Sequence, residues 1–387
     1  MKTKKGIFFI IAIVIFVMIP MKISYAKADD NKTIEEQQEE FKIQDFIKNS
    51  KQYTGEFFEN MDINELLNNA IKGKVDNTTL AKKILNLFGS EVTTNIKSIA
   101  SILTIIIIHS ILKSISESLG NDGISKLIYY VQYILIVTIV MSNFTGIVKL
   151  VQETASNLVG FMNLLVPLLI TLMMYTGSIT TSTIIEPVVL FMINFIGNLL
   201  QDLIIPLVLI LTSLVVISKI SDKAQVDKLS KFLKSGITWF LGIVLTVFVG
   251  VVSLEGTLSS SVDGITAKTT KSIVSSAIPV VGKILGDAVD TVLGCGVVLK
   301  NAIGLVGVII VVGICIMPII KLSILTISYK LLATLSQPIA DKNIMSLLDQ
   351  IGDIFKIFLG ILCAFFFMLI IGTTLVLKMS NSTMMYR

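Results

Sequence analysis

Residues 276–320 read SAIPVVGKILGDAVDTVLGCGVVLKNAIGLVGVIIVVGICIMPII. The last eighteen, Ile303 to Ile320, contain no charged side chain and approach the ~20 apolar residues that a membrane-spanning helix needs. The segment before them is different. Lys283, Asp287, Asp290 and Gly294 recur at steps of four, three and four, which on a helix makes one narrow stripe. Ile278, Val281, Leu285, Ala288, Val289, Val292 and Leu293 fill the other faces. Charge facing lipid is expensive, so such a stripe requires water, a partner or an ion along it.

Further apolar runs extend outward in both directions. Ile99–Ile115, Leu127–Val148, Leu158–Tyr175, Ile184–Leu200, Leu203–Ser218, Gly236–Leu254 and Ile354–Leu377 each read as a span. With 53% hydrophobic and 15% charged residues in 387, the chain reads as an all-α, polytopic helical membrane protein. Its membrane domain covers 98–378 in about seven or eight spans, with the amphipathic stretch 276–301 inside it, and a short tail follows at 379–387. Pro167, Pro187, Pro206 and Pro318 fall within or beside these runs, where each removes a backbone hydrogen bond and is expected to kink its helix. Glu186 precedes Pro187, and Gln201-Asp202 interrupts the apolar pattern. The stretch 184–218 is therefore a tight hairpin, two half-helices or one long kinked helix.

Residues 1–26 have the form of a cleaved signal peptide. Lys2, Lys4 and Lys5 precede an apolar core from Ile7 to Ile19, and Ser24-Tyr25-Ala26 supplies small residues for a cut. Residues 27–97 form a small polar, helical, extracytoplasmic region. Asp62 is the expected N-cap of one of its helices, with Glu65 in capping-box position. That region either packs on a neighbour, lies on the membrane or is a solvated leader. Lysines at 219, 223, 228, 231 and 234 mark a cytoplasmic loop, with Trp239 as an interface anchor just beyond it. Eight crossings from an outer residue 27 put 113–126, 177–183, 219–235 and 321–353 inside. They put the Ser/Thr-rich loop 255–275, the stripe and the tail outside.

The chemistry that is missing narrows the function. No phosphate-binding Gly-x-x-x-x-Gly-Lys-Ser/Thr loop, His-Glu-x-x-His, Gly-x-Ser-x-Gly or Cys-x-x-Cys occurs, so neither enzyme activity nor a cofactor is expected. The net charge of +5 comes without a dense basic patch interleaved with aromatics, which argues against nucleic acid. Cys295, Cys315 and Cys363 are too scattered for a disulfide framework or zinc site and read as packing residues. His109, the single histidine, is either a proton relay or a hydrogen-bond partner of a neighbouring helix. Gly282-x-x-x-Gly286 permits close helix approach. Lys283 and Asp287 either pair with each other along the helix or line a pore or docking seam.

The run Asp263-Gly264, Lys268, Lys271, Ile278-Pro279-Val280-Val281-Gly282, Asp287, Asp290-Thr291, Lys300-Asn301 and Gly304 closely resembles the stage III sporulation protein AE family. Phe161-Met162, Pro167, Gly177, Pro187, Pro206, Tyr329, Pro338 and Asp341 fit the same family. The resemblance implies an integral membrane subunit of a channel or secretion-like complex between mother cell and forespore, needed for late forespore development. It places the protein in the mother-cell membrane around the forespore. The implied partners are other stage III sporulation membrane proteins, including a separate secretion-type ATPase and extracytoplasmic ring subunits, with membrane lipid and a possible second copy of the chain. Asp263, Lys268, Lys271, Pro279, Gly282, Lys283, Gly286, Asp287, Asp290, Lys300 and Asn301 are then the candidate channel-lining or partner-docking residues. A stand-alone secondary transporter and an anchor for soluble partners are the alternatives.

Overall fold

An apolar run continues as helix across a polar interval unless something in that interval stops it. The interval between Val148 and Leu158 reads Lys-Leu-Val-Gln-Glu-Thr-Ala-Ser-Asn, with neither glycine nor proline. In the computed structural model, which describes residues 31–58, 61–72, 77–118, 122–220, 227–277 and 281–384, it does not stop the helix. For 255–277 and 281–291 the description is of the backbone alone. The proposed signal peptide, Pro279 and the last three residues lie outside the described residues.

The leader contributes α1 (Asn31–Glu40), α2 (Ile43–Ser50), a 3-10 turn (Glu56–Phe58) and α3 (Ile63–Ile71). Long rods follow: α4 (Asn77–Ser118), α5 (Asp122–Tyr175), α6 (Ile179–Leu199), a π turn (Leu200–Ile204), α7 (Ile205–Ile220), α8 (Asp227–Ala277), α9 (Val281–Leu335) and α10 (Lys342–Met384). The described residues contain no strand. The Asp62 carboxylate caps α3, accepting from the Asn64 amide at 2.9 Å.

Two expectations change and one open choice is decided. The spans 127–148 and 158–175 are one helix, α5, which runs through Pro167. At 1.5 Å per residue it is roughly 80 Å long. Thr171 Oγ1 donates to the Pro167 carbonyl at 2.8 Å, and the Asn163 and Asn194 amides exchange hydrogen bonds of 3.1 and 3.0 Å between α5 and α6. Of the three arrangements open for 184–218, the structure takes the single long helix. α6 and α7 join end to end through the π turn, just ahead of Pro206. Proline in an α-helix clashes with the carbonyl four residues back, and a widened turn relieves that clash. The expected loop at 255–275 is the continuation of α8. Serine and threonine lower its hydropathy without stopping a helix, and the first proline comes only at Pro279. α6 and α9 likewise run through Pro187 and Pro318.

Among the described residues, six helices rather than eight are therefore long and apolar enough to cross a membrane: 83–116, 123–175, 179–220, 228–254, 292–335 and 342–378. The last two are central, buried over 78% and 67% of their most apolar windows. α9 and α10 pack along each other, α4 and α5 flank α9, and α7 and α8 flank α10. One end of the bundle carries the turns α4–α5, α7–α8 and α9–α10. There Tyr129 Oη donates to the Lys219 carbonyl at 2.7 Å. At the other end the Gln37 amide donates to Tyr175 Oη at 3.3 Å and to the Val292 carbonyl at 3.0 Å.

The grouping of the bundle ends differs from the eight-crossing arrangement at one point. Residues 177–183 share an end with the leader and with the start of α9, not with the lysine-rich turns. Ile179 is exposed there. In spheroplasts of a non-sporulating host that expresses the chain, a single cysteine at Ile179→Cys should react with a membrane-impermeant maleimide, while one at Lys228→Cys should react only after lysis. Equal protection of both positions would restore the eight-crossing arrangement.

The leader is no solvated arm. Ile43, Phe46, Ile47, Phe57, Phe58, Ile63, Leu67 and Ala70 are buried in the same core as the long helices. α2 packs on α5, and α1 and α3 on α9. Phe58 lies directly over Gly313 of α9, and Tyr53 over Gly160 of α5. The three cysteines are buried and form no disulfide with one another, as their apolar surroundings predict.

Candidate functional site

The charged stripe lies at the leader's end of the bundle. Gly282, Lys283, Gly286, Asp287 and Asp290 occupy the first turns of α9, and Asp263, Lys268 and Lys271 the last third of α8. Their backbone is helical, so 283, 287 and 290 do share one face. Lys300 does not belong with them. It sits three turns further along α9, roughly 100° around an ideal helix from the middle of the stripe, and is fully buried. Asn301 beside it is half-buried.

The opposite end holds a charge network of which the sequence had singled out His109 and Asp341 but not their pairing or the other members. Asp341, in the turn between α9 and α10, accepts from Lys113 Nζ of α4 and lies 2.9 Å from His109 Nε2 one turn earlier on that helix. His109 is 2% exposed. Of its two open readings, the contact with a neighbouring element is the one seen. The His109 hydrogen bond, aided by Lys113 and opposed by burial, holds the Asp341 carboxyl down at about 2. Asp349 and Asp353 are one turn apart on α10. Lys330 of α9 reaches both at 2.7 Å, and Lys234 of α8 reaches Asp353 at 2.5 Å. Four elements are thus tied together at one end.

The α4–α5 seam beside this network is polar. Ser116 and Ser125 hydroxyls meet at 2.9 Å. Two helical turns back on α4 and two forward on α5, this register sets His109 level with Gln132. Gln132 is 3% exposed, and neither its amide atoms nor His109 Nδ1 meets a protein partner. Buried polar atoms of this kind are ordinarily satisfied by water.

Two clefts of about 360 Å³ open on the bundle. One, at the lysine-rich end, lies between α7, α8 and α10 beside the Asp353 pairs. The other lies between the Tyr53–Phe57 turn, Glu91 of α4, Glu153 of α5 and Lys321 of α9. Among the described residues no group of three or more His, Cys, Asp or Glu could hold a metal ion. The i,i+4 spacing of Asp349 and Asp353 was the one signal in the sequence for their part of the network. It could not name the lysines, which come from other helices.

Comparison with known proteins agrees with this architecture. The sequence model of the family described as stage III sporulation protein AE matches residues 61–380, from the start of α3 almost to the end of α10. Over 306 residues the chain is 29% identical to the stage III sporulation protein AE of Bacillus subtilis (strain 168), covering 79% of this chain and 77% of that one. No solved structure matches. With the family match extending over all six long apolar helices, the chain belongs to the stage III sporulation protein AE family and is a multi-pass membrane protein of sporulation.

Proposed function

We propose that this protein is an integral membrane subunit of a channel or secretion-like assembly linking mother cell and forespore. It resides in the mother-cell membrane around the forespore, with its leader in the space between the two cells and its lysine-rich turns in the mother-cell cytoplasm. The observation that carries this reading is the family match across every long apolar helix. Two structural features support a scaffold or conduit over the alternatives. A secondary transporter typically binds substrate at unwound, discontinuous helices near the midplane, whereas here the helices run on through Pro167, Pro187 and Pro318, and the interruption at Leu200–Ile204 is a π turn that keeps α6 and α7 end to end. A recruiting arm would stand free, whereas α1–α3 pack onto α5 and α9. The chain has no phosphate loop, so any nucleotide hydrolysis in the assembly falls to another subunit.

The stripe at the start of α9 is where this role is tested. Lys283 and Asp287 paired only with each other would contribute about 0.2–0.5 kcal/mol, and charge reversal would hardly matter. A stripe facing a water-filled path or a partner subunit cannot tolerate reversal. Asp287→Lys and Asp290→Lys should therefore leave the membrane level of the protein unchanged and abolish heat-resistant spores. Pull-down of other stage III membrane proteins then separates two roles. Retained partners with failed spores indicate conduction, and lost partners indicate docking. Normal spore yield from both variants would remove the stripe from the mechanism.

A further inference from the structure

The long rods exceed what one bilayer covers. At 1.5 Å per residue, α4 and the joined α6–α7 are each roughly 63 Å long and α5 roughly 80 Å. A hydrocarbon core is about 30 Å thick, and about 40–45 Å with its headgroup layers. Even tilted by about 40°, α5 would extend roughly 60 Å along the membrane normal. Part of the bundle therefore stands outside, and the outward faces decide which part.

On α5 the exposed side chains change character along the rod. Ile124, Leu127, Val131, Ile134 and Leu135 are exposed near the lysine-rich end. Further on, Ser142, Lys149, Gln152, Glu153, Ser156 and Asn163 are exposed, while Leu158, Phe161, Leu165, Leu169 and Leu172 turn inward. α4 repeats the change. Its leader half exposes Ser90, Thr93, Thr94 and Lys97 among Leu85, Phe88 and Ile96, and its other half exposes Ile107, Ile108, Ile111, Leu112 and Ile115. α7 exposes Leu203, Leu209, Ile210 and Ile217 directly after the exposed Asp202. α8 exposes Phe232, Trp239, Ile243, Val247 and Leu254. Beyond them its stretch 255–277 is rich in serine and threonine and carries Asp263, Lys268 and Lys271. The apolar bands 98–115, 203–220 and 232–254 measure roughly 27–35 Å. Each matches one hydrocarbon core, and each adjoins the lysine-rich turns.

The leader sets a second, independent limit. α2 packs on α5 through Phe46 and Phe161, with ring centroids 6.1 Å apart. Its Asp45 and Lys48 are exposed, as are Lys42 and Lys51 at its ends. Charges in a bilayer interior are costly, so four of them beside Phe161 keep that level of α5 out of the hydrocarbon. We propose that lipid covers only the lysine-rich half of the bundle, up to a boundary at Lys97, Lys149 and Asp202, and that the leader half stands beyond it in water. The apolar residues of α5 after Leu158 are then a core shared with the leader, not a further stretch in lipid. Phe191 and Phe195 of α6 are exposed rings of the leader half. They stack on each other with centroids 5.8 Å apart, between the exposed Pro187 and Asn198. The placement is independent of the channel reading, since it rests only on which side chains face outward.

The test uses the full-length chain in phosphatidylcholine vesicles, with and without bromine on the acyl chains, which quenches a tryptophan that touches them. Trp239 is the single tryptophan and lies on the α8 band, so the unaltered protein should lose most of its fluorescence in brominated vesicles. With Trp239→Phe as background, Ile134→Trp, Thr171→Trp and Phe195→Trp are compared one at a time. All three positions are exposed, so the fold should tolerate them. Ile134→Trp should be quenched like Trp239, whereas Thr171→Trp and Phe195→Trp should keep their fluorescence. Strong quenching at either of the last two would bring lipid over the leader half and overturn the proposal. Absence of quenching at both Trp239 and Ile134→Trp would show that protein rather than lipid covers the lysine-rich half, and would overturn it equally.

Discussion

Gly313→Val unseats the leader from the membrane helices. A Cβ at Gly313 would stand 2.0 Å from Phe58 Cε2 and 2.9 Å from Phe57 Cδ1. α9 cannot yield, because its apolar stretch is the most buried of the six. The rings have little freedom either. Phe57 and Phe58 are buried, pack edge-on with centroids 5.1 Å apart, and have the Lys83 ammonium 5.4 Å above the Phe57 ring. Forcing extra carbons into such a contact costs about 1–3 kcal/mol. Expelling both rings instead forfeits roughly 1.5–3 kcal/mol each. The expected result is a chain that remains helical and membrane-inserted, with a lowered unfolding midpoint and new protease cleavage between Phe41 and Asp62. Gly236→Val is the control, since nothing lies within 4 Å of a Cβ built there. Wild-type protease resistance in Gly313→Val would show that the leader is held by other contacts.

Asp341→Asn carries the second large effect, at the other end of the bundle. The carboxylate joins the α9–α10 turn to α4 through His109 and Lys113. Its side chain is 23% exposed and that of His109 2%, so water replaces the lost partner poorly. Loss of a charge-assisted contact in this setting should destabilise by about 2–3 kcal/mol. The pH dependence gives an independent readout. The folded carboxyl lies at about 2, below its ordinary value near 3.9. Its contribution is thus complete above roughly pH 4 and is lost as pH falls from there towards 2. Asp341→Asn should lower the midpoint at neutral pH and flatten the acid-side decline in that window. A variant matching wild type in both would show that the pair contributes nothing to holding α4 on the turn.

The remaining polar features of that end follow the same logic. Lys330 bridges Asp349 and Asp353, and Gln132 faces the seam level with His109. Lys330 and Asp349 are 19 positions apart in the chain, and His109 and Asp341 232, but in each case the partners come from different elements.

What the sequence determined by itself is local. Apolar runs near the length of a bilayer crossing specify membrane helices without reference to any other part of the chain. Asp62 three residues before Glu65 specifies a cap, and cysteines inside apolar runs specify burial. The lysines at 219, 228, 231 and 234 lie together at one end of the bundle, because they belong to one turn and its flanking helices. Hydropathy, however, reports only where polarity changes, and a polar interval can continue a helix as readily as end it. That is why 149–157 and 255–275 read as breaks and fold as parts of α5 and α8, and why 201–202, where three arrangements stayed open, folds as the π turn within one long helix. Only the tertiary structure decided where the leader goes, because its few large apolar side chains bury themselves only where Gly160 and Gly313 admit Tyr53 and Phe58. It alone chose the partner of His109 and the lysines of Asp349 and Asp353. An ion pair between helices is set by how the rods pack side by side, and no periodicity within one helix encodes the register of its neighbour.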